Sequence, residues 1–186
     1  MSQQIEDHLP YIQILLLAIK EEDILEVYLR KAASAGYMLA AQLPILTRSG
    51  KLGPKRQEGD LQVPEGLYRI NRFNPKSKYH LSLGLDYPNA YDQEKGYTGS
   101  DIFIHGGTET KGCLPLGDDG IEFLYGLAEI ARKNGQKAIP VYIFPFRYSN
   151  CNWQQFAASR DLETQTHWNY LADIWQEVQA GINGSL

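Results

Sequence analysis

The chain has 186 residues, a length that fits one domain with or without a small appendage and supports a substantial hydrophobic core. Hydrophobic residues make up 43% of the chain and charged residues 22%, values that exclude wholesale disorder. The formal net charge of −4 argues against nucleic acid as a partner, because it provides no general attraction to a phosphate backbone.

The first apolar segment, LPYIQILLLAI at residues 9–19, predicts a strand. It is too short to span a bilayer, and no basic segment precedes it, so it does not fit a signal peptide. Its nearly continuous apolar character places the strand inside a sheet, where both faces are covered. With no export signal and no membrane span in the sequence, we expect a cytoplasmic protein, one exported by another route, or one whose leader was removed.

Four more short apolar or alternating segments follow, and together the five predict an antiparallel sheet. They are DILEVYLRKA, YMLAAQLPIL, GLYRI and YHLSLGL. The loop before GLYRI carries the basic residues Arg48, Lys51, Lys55 and Arg56. Such a loop fits either the binding of an acidic small ligand or an ordinary solvated surface.

Residues 62–101 alternate aromatic residues with proline, glycine and asparagine, which predicts strand pairs joined by elaborated loops. Tyr79, Tyr87, Tyr91 and Tyr97 in this region either line a groove or are half-buried strand and loop aromatics.

The stretch IFIHGGTETKGCLPL, residues 102–116, carries the candidate chemistry. A buried strand is predicted over residues 101–104, so His105 stands where the strand ends and a loop begins. Cys113 follows eight residues later. An imidazole that accepts the thiol proton generates a nucleophilic thiolate, with a thiolate-imidazolium pair at neutral pH.

The glycines of this stretch are consistent with the same chemistry. Gly106, Gly107 and Gly112 let the backbone bend sharply and bring N–H groups close to a bound carbonyl, as an oxyanion hole requires. The alternative is a buried histidine bonded to the backbone and an inert, buried cysteine. The spacing does not fix the tertiary distance between His105 and Cys113, so both interpretations stay open.

Residues 117–136 predict a helix, with Asp119 and Glu122 as a capping box and Asn134-Gly135 as its C-terminal stop. A zinc site built from His105, Cys113 and the neighbouring aspartates lacks a recognisable ligand spacing, so no metal is expected.

Residues 137–146 predict a strand that is short or near a sheet edge, because they contain Pro140 and Pro145. The tail of residues 152–186 has helical spacing, and its apolar stripe favours docking on the body of the protein. The stripe comprises Trp168, Leu171, Ile174, Trp175 and Val178. Cys151, between strand and tail, has no adjacent glycine or histidine and is interpreted as structural.

The motif IHGG followed by TKGC resembles the His-Gly…Ser/Thr-x-Gly-Cys signature of the YkuD-type L,D-transpeptidase catalytic domain. In particular, it is similar to the shorter-loop, YafK-like murein branch of that family. The likeness extends to residues 49–92, to IEFLYGL and to IFPFRY, and it covers residues 10 to 180.

This resemblance implies an α+β fold, in which a mainly β catalytic domain with mixed or antiparallel sheets has helices packed after the cysteine and at the C-terminus. The expected catalytic domain spans residues 10–150, and residues 151–186 form a helical extension docked on it. The implied reaction is cysteine acyl transfer on peptidoglycan stem peptides, with neither a cofactor nor a metal.

The family's nucleophile corresponds to Cys113 and its base to His105. Thr110 occupies the Ser/Thr position of the signature and Gly112 precedes the cysteine, so both are assigned to the catalytic set. The oxyanion hole is expected at the backbone of Gly112 and Cys113.

Substrate contacts are expected from Gly106, Gly107, Tyr87 and Tyr97. Many family members have an arginine soon after the cysteine, whereas this chain has LPL at residues 114–116. We therefore hypothesise that Lys55 and Arg56 bind the substrate carboxylate.

Family members work outside the cytoplasmic membrane, so the resemblance implies the periplasm or cell envelope, although no export signal is present in the chain. Three functions stay open. The first is transpeptidation to an amine, including an amine of a protein acceptor. The second is an L,D-carboxypeptidase or amidase that uses the same cysteine to hydrolyse wall peptides or links to wall proteins. The third is a non-catalytic wall-binding domain.

Overall fold

The computed structural model describes residues 11–149 and 152–184, which form eight β-strands and four α-helices. The strands are β1 (Gln13–Ile19), β2 (Ile24–Arg30), β3 (Met38–Pro44), β4 (Gly66–Ser77), β5 (His80–Leu85), β6 (Phe103–His105), β7 (Leu114–Pro115) and β8 (Ile139–Phe144). The helices are α1 (Ala90–Glu94), α2 (Gly117–Lys133), α3 (Trp153–Ala158) and α4 (Leu162–Ile182), and a 3₁₀ turn spans Lys20–Glu22. The α+β class is confirmed.

The strands form one mixed sheet in the order β3-β2-β1-β8-β4-β5-β6-β7. The β1–β8 and β6–β7 pairs are parallel, and the other neighbours are antiparallel. Strand β1 lies between β2 and β8, so its predicted interior position is confirmed.

Of the two alternatives predicted for β8, the short strand is found, since β8 has six residues and ends before Pro145. The edge position is wrong, because β8 pairs with β1 on one side and β4 on the other. Pro140 is the second residue of β8, and pairing with β1 begins only at Val141. The N–H that proline lacks is therefore not needed in that ladder.

The sheet separates two hydrophobic cores, and β1 contributes to both because successive side chains point to opposite faces. Leu16 is part of the core that contains the buried face of α2, and Leu17 is part of the core that contains the buried face of α4. Four residues of the predicted tail stripe are buried in the second core: Trp168, Leu171, Trp175 and Val178. Docking of the tail helix is confirmed, and Ile174 packs against that core half-buried.

Helix α2 begins earlier than the predicted capping box would allow. Its first residue is Gly117, and no side chain caps its N-terminus. Asp118 instead accepts a hydrogen bond from the Gly107 N–H (2.9 Å), and Glu122 pairs with His80 (2.6 Å). The predicted end is confirmed, since Asn134 is the C-terminal cap residue of α2.

A buried polar cluster ties α4 and the loop between β3 and β4 to the sheet. The Lys20 ammonium is 1% exposed and donates to the Glu65 carboxylate (2.8 Å) and to the Gly53 and Val63 carbonyls. The Trp168 indole N–H donates to the other Glu65 oxygen (2.8 Å). One carboxylate thereby holds strand, loop and helix together. Cys151 lies outside the described residues.

Candidate active site

His105 ends β6, which lies between β5 and β7, and its imidazole is almost fully buried. The ring stacks on Tyr79, with 4.6 Å between centroids, and Nδ1 lies 2.6 Å from the Gly106 carbonyl oxygen. Because a carbonyl oxygen can only accept, this contact assigns the proton to Nδ1. Nε2 is then the nitrogen with a free lone pair, as a base requires.

Cys113 directly precedes β7, and parallel pairing of Leu114 with Ile104 sets it beside the start of β6. The sulfur accepts the Phe103 backbone N–H at 3.4 Å, and the thiol donates to the Asp101 carbonyl oxygen at 3.6 Å. The side chain is half-buried.

Cys113 and His105 line the same cavity, of about 720 Å³. Thr110 also lines it, so the structure brings together three of the four predicted catalytic residues around one space. The other lining residues are Asn74, Ser77, Lys78, Tyr79, Ser82, Asp101, Phe103, Glu109 and Lys111.

Hydrogen bonds brace the loop that carries the cysteine. The Thr110 hydroxyl accepts from the Cys113 N–H (2.9 Å) and donates to the Cys113 carbonyl (2.8 Å). The Gly112 N–H donates to the hydroxyl of Ser49 at 2.7 Å. These bonds fix the backbone on both sides of the sulfur.

At two positions of this loop, neighbouring atoms leave no room for a side chain, so only glycine fits. Gly112 has φ +99°, and a Cβ there would lie 2.8 Å from the Gln62 carbonyl oxygen. A Cβ on Gly106 would lie 2.6 Å from the Tyr79 carbonyl oxygen and 2.7 Å from the Asp118 carboxylate. Any larger residue at either position would push the loop away from its supports.

The expected oxyanion-hole donors are already bonded within the protein. The N–H groups of Gly112 and Cys113 donate to the hydroxyls of Ser49 and Thr110. In the structure these two amides therefore act as braces, and the oxyanion hole at the backbone of Gly112 and Cys113 stays a prediction. Gly106 and Gly107 likewise donate inward, to the Leu81 carbonyl and to Asp118.

The electrostatics of the site favour a neutral thiol beside a neutral imidazole. Burial lowers the pKa of His105, although its bond to the Gly106 carbonyl opposes the shift. Burial raises the pKa of the Cys113 thiol, and the bond from the Phe103 N–H opposes that shift. The charge of Asp101 raises this pKa further, whereas Lys55 lowers it. Both shifts disfavour the thiolate-imidazolium pair expected from the sequence.

Lys55 and Arg56, the hypothesised carboxylate ligands, do not line the cysteine cavity and are held in ion pairs. The Lys55 ammonium is 3% exposed and lies 2.7 Å from the Asp60 carboxylate. Arg56 pairs with Asp161 at 2.7 Å and with Glu163 at 3.0 Å, which joins its loop to the start of α4. Both cations thus brace the fold.

Tyr87 and Tyr97 also lie outside the lining of the cysteine cavity. The Tyr87 hydroxyl donates to the Thr98 carbonyl at 3.1 Å, and the Tyr97 hydroxyl donates to Glu163 at 2.8 Å. Neither tyrosine contacts this cavity, and a substrate contact by either of them stays a prediction.

Three residues that shape the site were not assigned to it from the sequence. Tyr79, one of four tyrosines proposed for a groove, is the one that stacks on His105. Ser49 lies 63 residues before its partner Gly112, and no local pattern predicts such a contact. Asp118 directly precedes the predicted capping box, and its carboxylate supports the loop after His105.

Among residues 11–149 and 152–184, no three His, Cys, Asp or Glu side chains are grouped in a way that could hold a metal ion. No helix in these ranges has the length and apolar character needed to cross a membrane.

The fold and the cysteine-histidine cavity agree with a family assignment. The model of the YkuD family, described as the L,D-transpeptidase catalytic domain, matches residues 22–143. The chain therefore belongs to the YkuD family of L,D-transpeptidase catalytic domains. This membership supports an enzymatic role in peptidoglycan metabolism.

Individual relatives refine this placement. The chain is 32% identical over 182 residues to the Escherichia coli K12 protein named "Putative L,D-transpeptidase YafK", a match covering 97% of this chain and 68% of that protein. Its fold is similar to that of Pgp2, a helical cell shape determining protein from Campylobacter jejuni, with TM-score 0.57 and 20% identity over 89% of this chain and 70% of that one. Bd1075 from Bdellovibrio bacteriovorus matches with TM-score 0.53 and 22% identity, over 72% of this chain and 48% of that one. The two solved structures support the fold alone.

Proposed function

We propose that this chain is a cysteine-dependent acyl transferase that acts on peptidoglycan stem peptides in the cell envelope. Cys113 is the nucleophile and His105 is the base. The observation that carries the proposal is the shared cavity, which is lined by both a half-buried thiol and an imidazole with a free Nε2. Family membership and the relationship to YafK support the substrate class.

The first step is attack by the Cys113 sulfur on the carbonyl carbon at the L-centre side of an L,D bond. Because the resting thiol and imidazole are both neutral, the proton moves from sulfur to His105 Nε2 as the carbon-sulfur bond forms. Collapse of the tetrahedral intermediate breaks the carbon-nitrogen bond. The leaving amine takes the proton back from the imidazolium, and a thioester remains on Cys113.

The second step transfers the acyl group to an acceptor. An amine that attacks the thioester carbonyl gives a new amide, which is transpeptidation, and the sulfur leaves with the proton returned through His105. Water in place of the amine gives a carboxylic acid, which is carboxypeptidase or amidase activity. Both outcomes use the same Cys113 and His105 and the same thioester.

His105 is held ready for this role by two contacts. The Nδ1 bond to the Gly106 carbonyl fixes the tautomer, and the Tyr79 ring covers one face of the imidazole. Because the Gly106 carbonyl also stabilises the imidazolium, it assists the proton transfer without itself taking a charge.

The proposal is tested by incubating the purified protein with a tetrapeptide muropeptide and measuring product masses. A cross-linked dimer identifies transpeptidation, and a shortened peptide identifies hydrolysis. The Cys113→Ala variant should give neither product, whereas the Cys151→Ala variant, which removes the other cysteine, should retain activity. Full activity of Cys113→Ala would contradict the proposal.

A further inference from the structure

The walls of the cysteine cavity carry charges of both signs. Its acidic lining residues are Asp101 and Glu109, and its basic ones are Lys78 and Lys111. A cavity that binds a charged peptide must meet the charges of that peptide, so the pairing state of each group decides which of them is available.

Two of these four groups already have partners. The Asp101 carboxylate lies 2.9 Å from the Arg72 guanidinium, which does not itself line the cavity, and the two form an ion pair. The Lys78 ammonium lies 4.9 Å from the centre of the Tyr79 ring, which holds it between this cavity and a neighbouring cleft. That cleft contains Glu109 and Asp118, so Lys78 has acidic groups around it.

The other two groups, Glu109 and Lys111, have no such contact among the described residues, and Lys111 is the cation of the two. It lines the cysteine cavity but not the neighbouring acidic cleft, and within the described part of the chain no ion pair or hydrogen bond holds its ammonium. Its side chain is exposed, so an ammonium that is not paired remains solvated and available.

The backbone beneath Lys111 is fixed even though its side chain is free. Its neighbours Thr110 and Gly112 are tied to Cys113 and Ser49 by the bonds that brace the loop. The ammonium is therefore attached two residues from the nucleophile on a loop that holds its position.

We propose that Lys111 binds a free carboxylate of the stem peptide and so determines which peptides are processed. This inference rests on the proposed function. The carboxylate belongs either to the side chain of a diaminopimelate residue or to the C-terminal D-residue, two sources with the same chemistry. Lys111 lines the cysteine cavity, whereas Lys55 and Arg56 are held in ion pairs outside its lining.

The test compares kcat/KM for three tetrapeptides: one with both carboxylates free, one with the diaminopimelate carboxylate amidated, and one with the terminal carboxylate amidated. The wild-type enzyme should prefer the free acid about tenfold over one of the two amides, a ratio typical of a single charge-assisted contact. The amide that is discriminated against identifies the source of the bound carboxylate.

In the Lys111→Met variant, kcat/KM for the free acid should fall to the value for that amide. The kcat/KM for the amide itself should stay unchanged. Lys111→Arg should keep the preference, since the charge remains. Lys137→Met removes an exposed lysine from the turn before β8 and should leave all three values unchanged. A purely structural role for Lys111 would lower all three values together and leave their ratio intact.

A preference that persists in Lys111→Met, or equal processing of all three peptides by the wild type, overturns the assignment of Lys111 and leaves the proposed function in place. Failure of the wild type to process any of the three peptides overturns the proposed function itself, and the assignment falls with it.

Discussion

The Thr110 hydroxyl makes two hydrogen bonds to Cys113, accepting from its backbone N–H at 2.9 Å and donating to its carbonyl at 2.8 Å. One side chain therefore satisfies both backbone groups of the nucleophile. The loop closes on itself across three residues, and the direction of the sulfur depends on this closure.

Replacing Thr110 by valine keeps the shape of the side chain and removes both bonds. We expect the free energy that holds the loop to fall by about 2 kcal/mol, which corresponds to a roughly 30-fold loss in kcat. Thr110→Ser keeps the hydroxyl and should retain most of the activity. Steady-state kinetics on a muropeptide measures the difference, and equal activity of the valine and serine variants would show that the hydroxyl is dispensable.

Gly112→Ala tests the close approach of the cysteine loop to Gln62. Both the left-handed φ of +99° and the 2.8 Å contact with the Gln62 carbonyl oppose a side chain there. We expect a loss of about 2–4 kcal/mol in the free energy of unfolding, together with most of the activity.

Gly59→Ala is the matched control, because Gly59 has φ +77° but open space around its would-be Cβ. Backbone strain alone should cost this variant about 1 kcal/mol. Urea unfolding of both variants separates strain from crowding. Equal losses of unfolding free energy in the two variants would mean that Gln62 moves away from the new Cβ at no measurable cost.

The pKa shifts at the site predict how Cys113 reactivity depends on pH. The folded-state pKa of the thiol is raised, so its thiolate fraction should keep rising above about pH 8.5. The folded-state pKa of His105 is lowered from the ordinary histidine pKa of about 6.5. The imidazole therefore stays neutral, and able to act as a base, at somewhat lower pH than a free histidine. Alkylation rates of Cys113 with iodoacetamide, followed from pH 5 to 10 by peptide mapping, measure the first effect.

We expect the alkylation rate to rise steadily toward pH 9 and beyond, while muropeptide turnover loses activity only below about pH 6.5. A labelling plateau between pH 5 and 8 would reveal a thiolate-imidazolium pair instead. The His105→Gln variant should leave the alkaline part of the labelling curve in place and abolish turnover.

The buried cluster around Glu65 predicts a large effect on stability. Glu65→Gln leaves the Lys20 ammonium in the interior without a counter-charge, which should cost about 3–5 kcal/mol of unfolding free energy. Glu163→Gln breaks the partly exposed pair with Arg56 and should cost under about 1 kcal/mol. Thermal unfolding followed by circular dichroism compares the two, and similar melting temperatures would contradict the role assigned to Glu65.

Much of the fold follows from local patterns in the sequence. The apolar run in β1 predicts an interior strand because both of its faces must be covered, and the stripe on α4 predicts docking because it has one apolar face. The position of β8 is not local information. Pro140 resembles an edge signal until the register shows that the ladder with β1 starts one residue later.

The site divides in the same way. The motif identifies Cys113, His105 and Thr110, which line one cavity. The sequence does not reveal that Arg56 is paired with Asp161 and Glu163, because these residues at the start of α4 lie about a hundred residues away along the chain. It likewise cannot show that Ser49 and Thr110 occupy the two amides expected for the oxyanion hole. Such competition for partners exists only once the chain has folded.

The most direct test of the thioester mechanism is the mass of Cys113 during turnover. The enzyme is mixed with a tetrapeptide muropeptide, quenched in acid within milliseconds to seconds, digested and mapped by mass spectrometry. We predict that the peptide containing Cys113 gains the mass of the substrate minus that of the released amine, and that Cys113→Ala shows no adduct. Turnover without an adduct on that peptide, or with the adduct on Cys151, would contradict the mechanism.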